Sequence, residues 1–257
     1  MSIQLKVKPP LTEPVEYPEG DGKPMAESDL HREIMFYIIH LLQRFFAGQR
    51  VYVSGNLLVY YEKGDPYKVV APDCFVVREI DPQRRPTYKI WEEGKGPEVV
   101  FEVSSKSTKR VDLNAKMRLY AELGVHEYFI YDPTRDYLNP PLAAYVLTGN
   151  RYTPMQPLVE HPSTIATPQY RSSILGLRLA LDDDNRLQFF DTITGERLLT
   201  DDEARQQAEQ ERQQAEQLAK QALTRATQAE NNLAAVEAEN ARLRAALERL
   251  RGESTSA

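Results

Sequence analysis

Apolar residues at 34, 38, 41, 42 and 45 fall at the spacing of one helix face and predict an amphipathic helix from residue 30 to about 47. Ser28 or Asp29 can cap its start, and Gly48 supplies a stop. Residues 50–61 and 67–78 read as two strands around EKGDP, a turn signal made by Gly64, Asp65 and Pro66. Antiparallel pairing is the simplest way to join them. Residues 81–96 hold Pro82, Pro86 and two glycines and read as a long irregular loop; its Arg84, Arg85, Lys89 and Trp91 could touch a nucleic-acid backbone, a solvated loop being the default. A nearly continuous apolar strand follows over 97–104, then a helix over 109–123 with Met117, Tyr120 and Leu123 on its packing side, closed by Gly124. Residues 126–131 form the next strand, ended by Asp132 and Pro133. Strand, helix, strand in this spacing implies a right-handed crossover between parallel neighbours. Beyond it, 142–147, 151–154 and 174–181 read as accessory β structure, and Asp182, Asp183 and Asp184 as a polar turn before an apolar run over 187–190.

From 201 to 251 the pattern changes to a repeat of seven. With Leu233, Asn240 and Leu247 at position a, Val236, Leu243 and Leu250 fall at d, and alanines at 208, 215, 222 and 229 continue d backwards. One Asn at an a position favours a parallel in-register dimer, in which Glu239 faces Arg244 and Arg225 faces Glu230. Glu211 against Glu216 is repulsive and weakens the first part. A single solvated helix is the competing reading, because Ala, Glu, Gln and Arg favour helix on their own.

Composition sharpens this division. Every Trp, Phe and Tyr lies before residue 191, and a chain of 257 residues with 41% hydrophobic content can bury a real core ahead of the helical tail. A net charge of −6 excludes a generic nucleic-acid coat protein but leaves room for a local basic groove. Lys106, Lys109, Arg110, Lys116 and Arg118 crowd one stretch against a single acid, Asp112. The lone Cys74 reads as a buried small hydrophobe, and the histidines at 31, 40, 126 and 161 show no zinc-ligand spacing. The N-terminus lacks the apolar core of a signal peptide and no run is long enough to span a membrane, so a cytoplasmic protein is expected.

Two acids stand out because each interrupts an apolar run: Asp73 after Pro72, and Glu102 in VVFEVSS. Such an acid must be paired, protonated or metal-bound, since a bare carboxylate in apolar surroundings costs more than its neighbours return. Glu33, beside the buried face of the first helix, reads as an exposed acid or, more sharply, as an outer metal ligand.

The chain resembles the PD-(D/E)XK nuclease superfamily, and more closely its Uma-type bacterial restriction endonuclease family. The matching residues are Pro72 and Asp73; Glu102, Val103 and Ser105 in FEVSS; Asp112, Lys116 and Tyr120; and Gly124, Val125, Glu127 and Tyr128 leading to Asp132 and Pro133, with Ser173, Leu175, Gly176 and Leu177 as a closing strand. This resemblance implies an α/β (α+β) restriction-endonuclease-like core of helix, three strands, helix and strand in a mixed sheet, followed by the coiled-coil helix. The implied organisation is a flexible arm over 1–27, a nuclease-like domain over 28–199, the coiled coil over 200–251 and a disordered tail over 252–257.

The superfamily places Lys two residues after the acid, where this chain has Ser104. The resemblance implies that Lys116 supplies the amine instead, with Lys106 as the alternative donor. It further implies a Mg²⁺- or Mn²⁺-dependent endodeoxyribonuclease: Asp73, Glu102 and the Val103 carbonyl as hard oxygen ligands, Lys116 as an electrostatic clamp, DNA as the nucleic-acid partner and a homodimer through 208–250. Opposed to it stands a catalytically inactive nuclease-fold module in which both acids are structural partners of Lys116 or Arg110 and the coiled coil recruits a partner.

Overall fold

The computed structural model of the chain describes residues 15–20, 28–105, 108–158 and 168–254. It divides into two units, residues 1–200 and 201–257.

The first unit opens with α1 (Asp29–Phe45), whose N–H of His31 is capped by the Ser28 hydroxyl at 3.2 Å and whose buried face is His31, Met35, Ile38, Ile39, Leu41 and Leu42. Gly48, at φ +79°, takes the left-handed conformation that turns the chain away. Four short strands follow: β1 (Val51–Ser54), β2 (Val59–Tyr60), β3 (Val69–Val70) and β4 (Cys74–Arg78). Next come β5 (Tyr88–Lys89), the single turn α2 (Ile90–Glu93) and β6 (Val99–Val103). The helical crossover runs through α3 (Lys109–Val111), a π turn (Asp112–Lys116) and α4 (Met117–Glu122) into β7 (Glu127–Tyr131). The unit closes with β8 (Leu142–Thr148), β9 (Arg151–Pro154), β10 (Tyr170–Ser172), β11 (Leu177–Leu181) and β12 (Leu187–Asp191).

The main sheet has the order β1-β4-β6-β7-β8-β9, with β6 and β7 parallel and every other pair antiparallel. Its mixed character and crossover are those the sequence predicts. One face buries Cys74, Val76, Phe101, Val103, Phe129 and Tyr131 against α1 and the sheet β10-β11-β12. The opposite face buries Phe75, Val77, Val100, Tyr128 and Ile130 with Tyr120 of α4, Val59 and Tyr88. Among these apolar positions Asp73, Glu102 and Asp112 are buried as well, so each needs a polar partner.

Three expectations change. Each long strand before residue 79 is two strands, because the hairpin kinks where Gly55 faces the backbone of Asp73; a Cβ on Gly55 would meet the Asp73 carbonyl oxygen at 1.9 Å. Beyond the kink β2, β3 and β5 form a second small sheet, stitched by the Asn56 N–H donating to the Pro72 carbonyl at 2.8 Å. The predicted loop over 81–96 contains β5 and α2, and its Arg85 side chain is tucked in, clamped to Glu93 at 2.6 Å and stacked 4.4 Å from the Tyr52 ring. That guanidinium staples the fold. Part of the segment expected as a loose arm is also packed: Tyr17 accepts from the Gly64 N–H at 2.6 Å and lies 5.1 Å from both the Tyr60 and Trp91 rings.

Gly55→Ala tests how firmly the kink holds the Asp73 segment. Because the clash is with backbone, the variant is expected to lose about 1–3 kcal/mol in urea denaturation, the acid at 73 moving with the backbone that Gly55 faces.

The second unit is α5 (Asp201–Ser254), an unbroken helix roughly 80 Å long. Leu233, Val236, Leu243 and Leu247 are exposed along it, on the seam the heptads define; the side chain of Leu250 lies outside the described residues. Arg212 pairs with Glu209 at 2.8 Å and with Glu216 at 2.9 Å within the same helix.

Candidate active site

Asp73 sits one residue before β4, opposite the end of β6, and the antiparallel register that pairs Cys74 with Phe101 brings it alongside Glu102. The Val103 N–H donates to Asp73 Oδ2 at 2.7 Å, and His31 Nε2 on α1 lies 3.3 Å from Oδ1. Both oxygens are thereby oriented by separate elements.

Glu102 is 1% exposed and accepts two hydrogen bonds, from Lys116 Nζ to Oε2 at 2.7 Å and from the Tyr120 hydroxyl to Oε1 at 2.6 Å. The same ammonium lies 3.3 Å from Asp112 Oδ1. Asp112, Lys116 and Tyr120 are spaced by four, and in an α-helix each such step drifts by about 40° around the axis. The π turn over Asp112–Lys116, closed by the wider i→i+5 bonds, rotates less over that interval and offsets the drift of the next α turn. All three side chains consequently serve one location. Upstream, Ser105 and Thr108 cap each other, with the Ser105 N–H donating to Thr108 Oγ1 at 3.0 Å and the Thr108 N–H to Ser105 Oγ at 3.3 Å, which starts the helical segment.

Electrostatically the site has an excess of acid. Three buried carboxylates, Asp73, Glu102 and Asp112, face one obligatory cation, Lys116, and one imidazole, His31. Burial and repulsion from Asp73 and Asp112 push the Glu102 carboxyl well above the ordinary range, against the pull of Lys116. Asp112 is raised by burial as well. Burial works the same way on Asp73, but the His31 imidazole 3.3 Å away, the Lys116 charge and the Val103 N–H overcome it and hold that carboxyl below its ordinary value. Lys116 is pushed above the usual lysine range: burial opposes its charge, and Glu102, Asp73 and Asp112 more than compensate. Cys74 is fully buried, its thiol raised by burial and by the adjacent acids, in keeping with a core role.

Asp73, Glu102 and Lys116 thus come together at the sheet end. Val103 enters through its N–H. Ser104 is 2% exposed and its Oγ has no hydrogen-bond partner among the described residues. Glu33 is exposed on α1, as its first reading has it; a residue two positions from His31 points to another side of the helix, and His31 is the α1 side chain that reaches Asp73. Lys106 and the Lys109 side chain lie outside the described residues, while Arg110 and Arg118 are exposed on the crossover helix. Among the described residues no three His, Cys, Asp or Glu side chains form a ready-made metal cluster.

The family model of Uma2, described as "Putative restriction endonuclease", matches residues 8–171. The chain belongs to the Uma2 family. Among solved structures it is similar to a protein described as a "putative nuclease belonging to DUF820" from Anabaena variabilis, at 16% identity over 55% of this chain and 75% of that one, with a TM-score of 0.39. No curated protein matches the chain. Among the described residues no helix is long and apolar enough to cross a membrane.

Within this Uma2 domain, His31 is the partner that the sequence reading passes over, while Asp112 and Tyr120, read there as matching residues with Tyr120 on the packing side, prove to touch Lys116 and Glu102. His31 carried a signal: it is in phase with Met35, Ile38 and Leu42, so a helix stripe otherwise apolar starts with an imidazole that must find a polar partner.

Proposed function

We propose that the chain is a divalent-metal-dependent endonuclease acting on DNA, paired through its C-terminal helix. The observation that carries this reading is the meeting of Lys116 with Glu102 at 2.7 Å beside an Asp73 whose oxygens are held from two sides. Hard oxygens and uncompensated negative charge fit Mg²⁺ or Mn²⁺; Mg²⁺ takes only one or two carboxylates and keeps its other positions for water and phosphate, so the absence of a third ligand side chain is no obstacle. Asp73, Glu102 and the Val103 carbonyl would hold the ion, which when bound lowers the pKa of a water and neutralises charge on the phosphate. Lys116 stabilises negative charge developing on the phosphoryl oxygens, its ammonium also 3.3 Å from Asp112 Oδ1. Tyr120 fixes the orientation of Glu102. Arg110 and Arg118, exposed on the same crossover, are available to backbone phosphates.

Calorimetric titration with Mn²⁺ tests the reading, with nicking of supercoiled plasmid as its companion. The parent chain is expected to bind and to cut, and Asp73→Ala to do neither. Failure of the parent to bind, or equal binding by the variant, favours the inactive module, for which Ser104 in the superfamily's Lys position and an ammonium already resting on Glu102 speak.

For the tail, the exposed seam of Leu233, Val236, Leu243 and Leu247 with Asn240 between them supports a parallel homodimer over 208–250. Leu243→Glu is expected to yield a monomer by sedimentation equilibrium; an unchanged mass refutes that pairing.

A further inference from the structure

We infer that His31 is a positioning residue for the metal site, fixing from the first turn of α1 the orientation in which Asp73 takes a divalent ion; the inference rests on the metal-dependent reading above. His31 is 8% exposed and heads the buried stripe of Met35, Ile38 and Leu42. A polar ring there is unfavourable unless something compensates it. Asp73, at 3.3 Å from Nε2, is what it meets. The turn that carries it is itself fixed, because the Ser28 side chain accepts from the His31 N–H at 3.2 Å.

The geometry explains why a second holder matters. An Asp carboxylate turns easily about its last torsion, whose wells are broad. The Val103 N–H pins Oδ2 at 2.7 Å and would by itself leave Oδ1 free to swing about that contact. The His31 imidazole on α1, 3.3 Å from the other oxygen, restrains that swing by ion-pair contact. Each carboxylate oxygen carries two acceptor directions, so one on each remains for an ion. Outer partners of this kind, when removed, typically cost 10–100-fold in metal affinity.

The test uses the full chain and Mn²⁺ alone as the probe. His31→Phe keeps the bulk of the ring in the stripe but offers no polar atom; His31→Gln offers an amide at similar reach. His31→Phe is expected to bind Mn²⁺ about 10–100-fold more weakly than the parent, with thermal stability in EDTA close to the parent's, and His31→Gln to recover most of the loss. Parent-like Mn²⁺ affinity in His31→Phe overturns the inference, and so does a His31→Gln chain no better than His31→Phe. Asp73→Ala separates the two layers of argument. If the parent binds Mn²⁺, Asp73→Ala does not, and His31→Phe matches the parent, only the role of His31 falls; if the parent itself binds no Mn²⁺, the metal reading falls and this role with it.

Discussion

A Lys116→Met chain is expected to lose plasmid cleavage by about 10²–10³-fold while binding Mn²⁺ more tightly than the parent. Both halves follow from one count of charges. The ammonium lies 2.7 Å from Glu102 and 3.3 Å from Asp112, so in the metal-free chain it is the tethered cation of a site with three buried acids. On the proposed mechanism, removing it takes away the group that stabilises charge on the phosphoryl oxygens and so lowers turnover. It also removes a competitor for Glu102 and leaves a more negative site, and affinity for a hard cation rises with ligand charge. Breaking a buried ion pair by deleting one partner costs about 3–5 kcal/mol, so the variant should denature at lower urea in EDTA and recover much of the loss when Mn²⁺ is added. Methionine keeps the length of the stem, which separates the charge from the packing. Calorimetry, urea denaturation with and without Mn²⁺, and plasmid nicking read the three parts separately. Retained cleavage makes Lys116 a structural partner only, and unchanged metal affinity means that the ion and the ammonium do not share Glu102.

Much of this arrangement is legible in the amino-acid sequence. Asp73 and Glu102 are conspicuous because an acid inside an apolar run is costly, and the strand, helix, strand spacing from 97 to 131 fixes a parallel pair. What escapes the sequence is set by contacts distant along the chain. Gly55 sits inside an otherwise good strand pattern, a hint of close backbone approach, yet only the Asp73 carbonyl beside it shows why the strand breaks there. The π turn is hidden because Met117, Tyr120 and Leu123 fit ordinary helical periodicity. Arg85 reads as a surface cation among Pro and Gly residues until Tyr52 and Glu93 close around it. Ligand spacing passes over His31, which acts alone from its helix; its phase within the apolar stripe was the informative pattern.

Glu102→Gln is expected to make the metal-free chain more stable, and to abolish the stability that metal confers. Burial, reinforced by Asp73 and Asp112, holds the Glu102 carboxyl well above its ordinary value despite Lys116. An acid raised in this way contributes stability that is fully present below its unfolded pKa of about 4.3 and is lost as pH rises through the higher folded value. Between the two, the folded chain binds more protons than the unfolded one, so parent stability falls with increasing pH across that window. Glutamine is neutral throughout, can still meet the Tyr120 hydroxyl, and leaves Lys116 paired with Asp112. In EDTA the variant should therefore match the parent near pH 4 and gain on it as pH rises, by about 1.4 kcal/mol for each pH unit between the unfolded and folded pKa of Glu102. Mn²⁺ reverses the order. An ion that binds only the folded parent adds about 2.7 kcal/mol at a hundred times its Kd, whereas the variant, short of one ligand, gains little. Melting temperatures at pH 4, 6 and 8, in EDTA and in Mn²⁺, check every arm. A Glu102→Gln chain less stable than the parent at pH 8 in EDTA would mean that the Lys116–Glu102 pair outweighs the excess of acid. Equal gains from Mn²⁺ in both chains would remove Glu102 from the ligand set.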